Sequence, residues 1–172
     1  MPFANITINP TVDLAAHAAG DVVFNLTAIE LPAKKCRLLS VTGYDKGSTP
    51  GTTDTDSIAL FFFRNNEADL GTLNATANIS VANFESNQLL GTCKLTCSHS
   101  IMNAEVDNVK FLFGHNTATA LGATDSTNLN VALEGSIGTG VGNTCYVGGI
   151  QFAGTSDFLA ATDLKIVLSL EY

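Results

Sequence analysis

Two cysteines and a histidine form the closest grouping of metal-ligating side chains in this sequence. Cys93 and Cys97 are followed by His99, and thiolates and imidazoles are common zinc ligands. The spacing offers no convincing second pair of ligands, which a structural zinc site requires. On a β-strand these three side chains and Leu95 would share one face, because strand side chains alternate. We therefore predict that the cysteines pack as small apolar core residues and that the chain binds no metal.

Acidic pairs and a glycine-rich stretch are the other residues that could support chemistry. Asp54 with Asp56, and Glu105 with Asp107, could offer oxygens to calcium, but neither pair lies in a complete calcium loop. The stretch Gly138–Gly142 resembles a phosphate-binding loop only superficially, because it lies between predicted strands with no helix after it. No carboxylate pair stands out for glycoside hydrolysis, and no nucleophile motif occurs. We predict that the protein is not an enzyme and has no cofactor.

The elements that would hold these residues are short strands separated by Gly, Thr, Asn and Asp. No apolar stripe of helical period persists beyond about two turns. This pattern predicts an all-β fold, an antiparallel β-sandwich of the jelly-roll type with about eight strands. The predicted strands are Val22–Leu31, Cys36–Tyr44, Ser57–Arg64, Leu89–Ser98, Val106–Gly114, Asn128–Ile137, Thr144–Phe152 and Leu164–Tyr172.

The 172 residues suit one domain. We predict that residues 1–20 form an extended amino-terminal arm and that residues 21–172 form a single β-sandwich domain. Two polar stretches interrupt the strands. Residues 44–56 are predicted as a long loop, and residues 65–84 as an excursion with a helical turn near Val81–Asn83.

The strand Ser57–Arg64 is apolar on both faces. Such a strand is covered on both sides, by the core on one and by a helix, a loop or a partner chain on the other. Phe61 and Phe63 lie on the second face and are our candidate interface residues.

Composition and charge exclude several classes of partner. The chain carries a net charge of −8, and its eight basic residues are scattered apart from Lys34, Lys35 and Arg37. Nucleic-acid binding needs clustered basic residues, so we expect no nucleic-acid partner. No stretch approaches 18 apolar residues and no signal-peptide pattern occurs, so we expect a soluble chain made in the cytoplasm, with no membrane partner.

Several short motifs resemble those of small virion proteins of tailed bacteriophages. Thr11–Val23 is similar to the family's Tyr-Ala-x-Gly-Asp opening, and Phe158–Leu164 resembles its close, an aromatic followed by Ala, Thr and Asp before a terminal strand. Leu38–Val41 and Ile58–Phe63 are similar to internal stretches. The chain departs from the pattern at His17, where Tyr is usual.

A second departure is Arg64-Asn65-Asn66, which replaces a Pro-containing exit from the apolar strand. The resemblance implies a phage structural protein with a β-sandwich or jelly-roll body that decorates or cements the head. Its implied partners are the major capsid protein and further copies of itself. Closed cyclic symmetry would match local symmetry axes of the shell, so we expect a homotrimer. Its implied location is the capsid surface of a virion assembled in the bacterial host cytoplasm. The alternative is a tail or fibre component whose long loops recognise a host surface glycan.

Overall fold

The computed structural model describes residues 1–46, 57–97, 109–115, 129, 131–136 and 142–172. This part of the chain contains nine β-strands and one short helix, so the prediction of an all-β, antiparallel fold is confirmed. The elements are β1 (Phe3–Ile8), β2 (Val22–Glu30), β3 (Lys35–Lys46), β4 (Ser57–Phe63), α1 (Val81–Asn87), β5 (Leu89–Cys97), β6 (Val109–His115), β7 (Val131–Glu134), β8 (Thr144–Ala153) and β9 (Leu164–Glu171).

The strands form one curled antiparallel sheet in the order β1-β9-β3-β6-β5-β4-β8-β2. Strands from the first half of the chain pair with strands from the second half in reverse order: β1 with β9, β2 with β8, β3 with β6 and β4 with β5. β7 does not take part in this reverse-order pairing. It pairs with the first residues of β3, whereas β6 pairs with the last residues of β3, so both flank the same edge of β3.

One face of the sheet encloses the core, to which all nine strands contribute buried apolar residues. β9 follows the simplest pattern, because Leu164, Ile166, Leu168 and Leu170 are fully buried and alternate with partly exposed residues. A strand with one face toward the core has this two-residue period. Each such buried Leu or Ile stabilises the fold by roughly 1.5–3 kcal/mol relative to an exposed one.

A second, smaller cluster lies on the outer face of β4, β8 and β2. Its fully buried members are Val22, Phe63 and Leu70, and Phe84 of α1 packs against them. The rings of Phe63 and Phe84 meet edge to face with centroids 5.2 Å apart. The prediction that β4 is covered on both faces is confirmed, and the cover on the outer face is this chain's own residues 64–87.

Two asparagines hold this covering segment in place, Asn87 by bonds within the segment and Asn25 by bonds to the sheet. Buried Asn87 accepts hydrogen bonds from the backbone N–H groups of Glu67 (2.7 Å) and Ala68 (3.2 Å) and donates to the Ala68 carbonyl (2.7 Å). On β2, Asn25 accepts from the N–H of Leu70 (3.1 Å) and donates to the carbonyl of Gly71 (2.8 Å). These bonds satisfy backbone groups that the irregular segment leaves without a strand or helix partner.

The predicted helical turn is the start of α1. The helix begins after Ser80, whose hydroxyl accepts from the N–H of Asn83, and ends at Gln88 in the left-handed conformation with φ of 57°. The described structure places Phe3–Ile8, part of the predicted arm, in the sheet as β1. Its apolar residues Ile6 and Ile8 alternate with Asn5 and Thr7, which is a half-buried strand pattern.

Candidate interaction surfaces

The cysteines described by the structure are core residues. Cys36, Cys93 and Cys145 are buried free thiols in the main core. Burial raises the pKa of Cys93 to about 12, and burial together with the nearby Cys36 raises the pKa of Cys145 to about 12. A thiolate is the nucleophile and the metal-binding form, so these two thiols are inert at neutral pH.

The remaining chemical candidates of the sequence divide into two groups. The acidic pairs at 54/56 and 105/107, His99 and most of the stretch Gly138–Gly142 lie outside the described residues, as does the side chain of Cys97. Within the described part of the chain, no three His, Cys, Asp or Glu side chains gather as a metal site would need. His17 is fully buried, and its Nδ1 lies 3.2 Å from the Ser156 carbonyl oxygen.

The basic residues near the start of β3 form ion pairs within the chain. Lys35 Nζ lies 3.7 Å from Glu134 on β7, and Arg37 lies 3.8 Å from Glu171 on β9. Arg64 also pairs with Glu134 and donates a 3.3 Å hydrogen bond to Gln88. Because Lys35 and Arg37 each have an acidic partner, this cluster offers little unpaired positive charge to an anionic ligand.

The two terminal segments that carry the resemblance lie side by side in the structure. The N–H of Val12 donates to the carbonyl of Ala161 (3.1 Å), and the N–H of His17 donates to the carbonyl of Ser156 (2.9 Å). The rings of His17 and Phe158 meet edge to face at 5.7 Å. We call residues 12–21 and 151–163 together the crossing ribbon, because they link the β1–β9 pair to the β2–β8 pair at the other end of the sheet.

Asp side chains fix the turns of the crossing ribbon. Asp21 accepts a 2.8 Å hydrogen bond from the N–H of Ala18, and Asp163 accepts a 2.7 Å bond from the N–H of Ala160. The backbone N–H of Asp21 in turn donates a 3.0 Å hydrogen bond to the carbonyl of Ala18, and that of Asp163 donates a 3.0 Å bond to the carbonyl of Ala160. These reciprocal bonds hold both ribbon segments in defined turns, as Asp side chains commonly do.

The crossing ribbon exposes two leucines. Leu14 is 54% exposed and Leu159 is 70% exposed, and they lie on the two antiparallel segments of the ribbon. Their neighbours Val12 and Phe158 are buried in the core. Single exposed leucines are common on protein surfaces. These two lie on segments of the ribbon that are joined by backbone hydrogen bonds.

The two candidate interface residues of the sequence lie in the second cluster. Phe63 is fully buried, whereas Phe61 is partly buried, and both rings contact Phe84 of α1. Phe63 therefore presents no side-chain surface in the chain as described. Contact of either residue with a partner protein stays a prediction.

Sequence reasoning missed Leu14 and Leu159 as surface residues, although one signal for Leu159 was available. Phe158 and Leu159 are adjacent apolar residues in a stretch outside any predicted strand. Adjacent side chains of an extended segment point in opposite directions, so the same core cannot receive both. Burial of Phe158 therefore leaves Leu159 outside.

Within the described ranges, none of the residues form a helix with the length and apolar character that crossing a bilayer demands. No protein-family model matches this chain, and no curated protein matches it either.

Proposed function

We propose that this chain is a non-enzymatic structural protein of a tailed-bacteriophage particle. In this proposal it is a decoration or cement protein that binds the outer surface of the major capsid protein lattice and stabilises the head. The body is a jelly roll, and the crossing ribbon is the surface that contacts the shell.

The strand order supports a jelly-roll body. In that fold a long antiparallel ribbon of eight strands wraps into two sheets, so that strands of the first half pair with those of the second half in reverse. With β7 set aside, the pairs β1–β9, β2–β8, β3–β6 and β4–β5 follow this rule. The two sheets would be β1-β9-β3-β6 and β5-β4-β8-β2, joined here by the pairing of β6 with β5. Jelly rolls are common in viral capsid proteins.

The observation that carries the proposal is the position of the exposed leucines. Leu14 and Leu159 lie on the paired segments where the opening and closing motifs of the phage resemblance meet. Both segments are held by backbone and Asp hydrogen bonds. Exposed apolar side chains on segments held in this way lose little conformational entropy when a partner covers them.

The mechanism needs no chemistry. A protein that binds only the assembled shell stabilises that shell by mass action, because disassembly must also release the bound copies. Copies placed around a local threefold axis of the lattice would form a closed homotrimer, which is the oligomer that we propose.

The first test is cryo-electron microscopy of the intact particle with the density of this chain located. Density in many copies over capsid junctions, with the crossing ribbon against the shell, would support the proposal. Density confined to the tail would favour the alternative function, a component that recognises a host surface glycan. Absence from the particle would overturn both.

A binding assay tests the surface itself. The purified protein is mixed with particles that lack it, and the bound fraction is measured after sedimentation. We expect Leu14→Glu and Leu159→Glu each to lower binding at least tenfold, because each places a charge in an apolar contact. Val81→Glu is the matched control, since Val81 is 75% exposed but lies on α1, outside the two ribbon segments.

A further inference from the structure

The two strands at the ends of the sheet are protected differently. The outer edge of β2 is covered at its start by this chain, because Val22 donates to the Ala75 carbonyl (2.9 Å) and accepts from the N–H of Asn74 (2.9 Å). The pairing of β2 with β8 is also interrupted by two register shifts. Bulges and covering loops are standard means of blocking further strand addition.

β1 has none of this protection among the residues that the structure describes. Its pairing with β9 runs without a register shift from Phe3 to Ile8, and it contains no charged residue and no proline. β9 is the strand with which it pairs. Its other edge lies at the end of the sheet, which the curl brings close to β2 without strand pairing between the two in the described residues. An uncharged, regular edge strand is a template for another strand.

The backbone groups on that edge can be assigned. The N–H of Tyr172 donates to the carbonyl of Pro2 (3.1 Å), which makes Pro2 and Tyr172 a hydrogen-bonded position of the ladder. Such positions alternate along an antiparallel pair. Ala4, Ile6 and Ile8 therefore direct their backbone groups toward β9, whereas Phe3, Asn5 and Thr7 direct theirs to the free edge.

The outward groups are self-complementary in one register. If two copies pair in antiparallel fashion about Asn5, then Asn5 faces its own counterpart and each Phe3 faces the Thr7 of the other copy. Each hydrogen-bonded pair exchanges two bonds, so every outward N–H and C=O of these three residues finds a partner. The facing Phe and Thr form a favourable aromatic and β-branched pair on the outer face.

Exposure and charge favour the same arrangement. Phe3 is 68% exposed, and the second copy would cover part of its ring. The chain has a net charge of −8, so copies repel each other wherever acidic residues face one another. Residues 3–8 carry no ionisable side chain, so this pairing opposes no like charges on the strands themselves.

We propose that β1 pairs edge to edge with β1 of a second copy about a two-fold axis, which joins the two sheets into one. The inference follows from β1 alone and does not require the virion assignment. In a shell of homotrimers, the same contact would link neighbouring trimers across local two-fold axes.

A disulfide tests the register. The Cα atoms of a hydrogen-bonded pair lie about 5.5 Å apart, which a disulfide can span. Under mild oxidation Asn5→Cys should give a covalent dimer in denaturing electrophoresis. Thr7→Cys is the matched control, because the two copies of residue 7 would lie roughly 13 Å apart along the strands. The unsubstituted chain controls for its own cysteines.

A proline substitution tests whether the free edge of β1 makes the contact between copies. The N–H of Asn5 points away from β9, so Asn5→Pro should leave the sheet intact and remove both central bonds of the contact, one from each copy. Asn5→Ala keeps that N–H and is the control. Sedimentation over a concentration series should give Asn5→Pro half the mass of the unsubstituted chain and of Asn5→Ala.

Two results would overturn the inference. One is equal cross-linking of Asn5→Cys and Thr7→Cys, or none of either. The other is an unchanged mass for a folded Asn5→Pro protein. If that protein also still bound particles, the proposed function would stand while the two-fold contact fell.

Discussion

At the scale of single residues, the side chain of Asn87 makes three hydrogen bonds to the backbone. Its side chain satisfies two backbone N–H groups and one carbonyl of residues 67–68 while it is itself fully buried. No other residue type of this size offers an acceptor and a donor in the same plane. The cover over the outer face of β4 therefore depends on this amide.

We expect Asn87→Ala to lower the free energy of unfolding by about 3 kcal/mol, because it leaves buried backbone groups unpaired. Urea denaturation measures this change. Asn83→Ala, an exposed position on the same helix, is the control and should change stability by less than about 0.5 kcal/mol. Equal effects of the two substitutions would contradict the role assigned to Asn87.

The buried thiols make stability depend on pH in the alkaline range. The pKa of Cys93 and of Cys145 is about 12 in the folded chain, against 9.0 for the model thiol. A raised folded pKa means that the unfolded chain releases these protons first. Their contribution to stability is thus complete below pH 9 and is lost as the pH rises toward 12.

We expect the free energy of unfolding to fall more steeply between pH 9 and pH 11 in the unsubstituted chain than in a Cys93→Ala, Cys145→Ala double variant. Urea denaturation across this pH range measures both slopes. In the folded chain, neither thiol should react with iodoacetamide at pH 8. Parallel slopes for the two proteins would show that these thiols do not control the alkaline transition.

At the scale of elements, the pairing of β2 with β8 depends on a glycine. Gly149 lies opposite Phe24, and the Phe24 ring folds over its bare backbone. A Cβ at Gly149 would lie 2.7 Å from Phe24 Cδ1, inside van der Waals contact, and the whole Phe24 side chain is buried. Neither partner can move without disturbing the core.

Gly149→Ala should lower the free energy of unfolding by about 1–3 kcal/mol through overpacking. Thermal or urea denaturation of a double-mutant cycle tests the cause. The cost of Gly149→Ala should shrink in a Phe24→Leu background, because the ring that it strikes is gone. If the losses of stability caused by Gly149→Ala and Phe24→Leu were simply additive, the cost of Gly149→Ala would not come from contact with the Phe24 ring.

The burial patterns of β9 and β4 could be predicted from the sequence, whereas β1 could not. The alternation of Leu164 to Leu170 predicted β9 as a one-sided core strand, and the double-faced pattern of Ile58–Phe63 predicted that β4 is covered twice. Both depend on side chains a few residues apart. The strand in residues 1–20 was missed although Ile6 and Ile8 alternate with Asn5 and Thr7, because the pattern is short and its partner β9 is distant in the sequence.

The candidate surface was harder to predict from the sequence than the strands, because its contacts join residues that are distant in the chain. Contact of His17 with Phe158, and of Val12 with Ala161, joins residues far apart in the chain. Register between such segments depends on the packing of the whole sheet, not on local propensity. The cover over Phe63 likewise required the position of α1, which a short helical pattern does not give.

At the scale of the whole molecule, the negative charge should control association. The chain has sixteen acidic and eight basic residues. Copies brought together edge to edge or on a shell therefore repel one another over distances up to a Debye length. Salt screens this repulsion, while apolar and backbone contacts are little affected.

We expect self-association to strengthen when the ionic strength rises from about 0.05 M to about 0.3 M, as the Debye length shortens. Sedimentation velocity at several salt concentrations measures this change. Proteins that bind through opposite charges show the reverse trend. Weakening with salt would therefore indicate that ion pairs, and not β1 or the leucines, hold the copies together.

The reverse-order pairing of the strands also has a consequence for synthesis on the ribosome. β4 and β5 can pair as soon as both have emerged, but β1 precedes the other described strands along the chain and its partner β9 follows them. Until Leu164–Glu171 leave the exit tunnel, β1 and β3 both lack β9, the strand with which each pairs in the sheet. Neighbouring nascent chains on one messenger thus present unpaired, uncharged β1 segments to each other before either sheet is complete, and the contact proposed between finished copies could begin there.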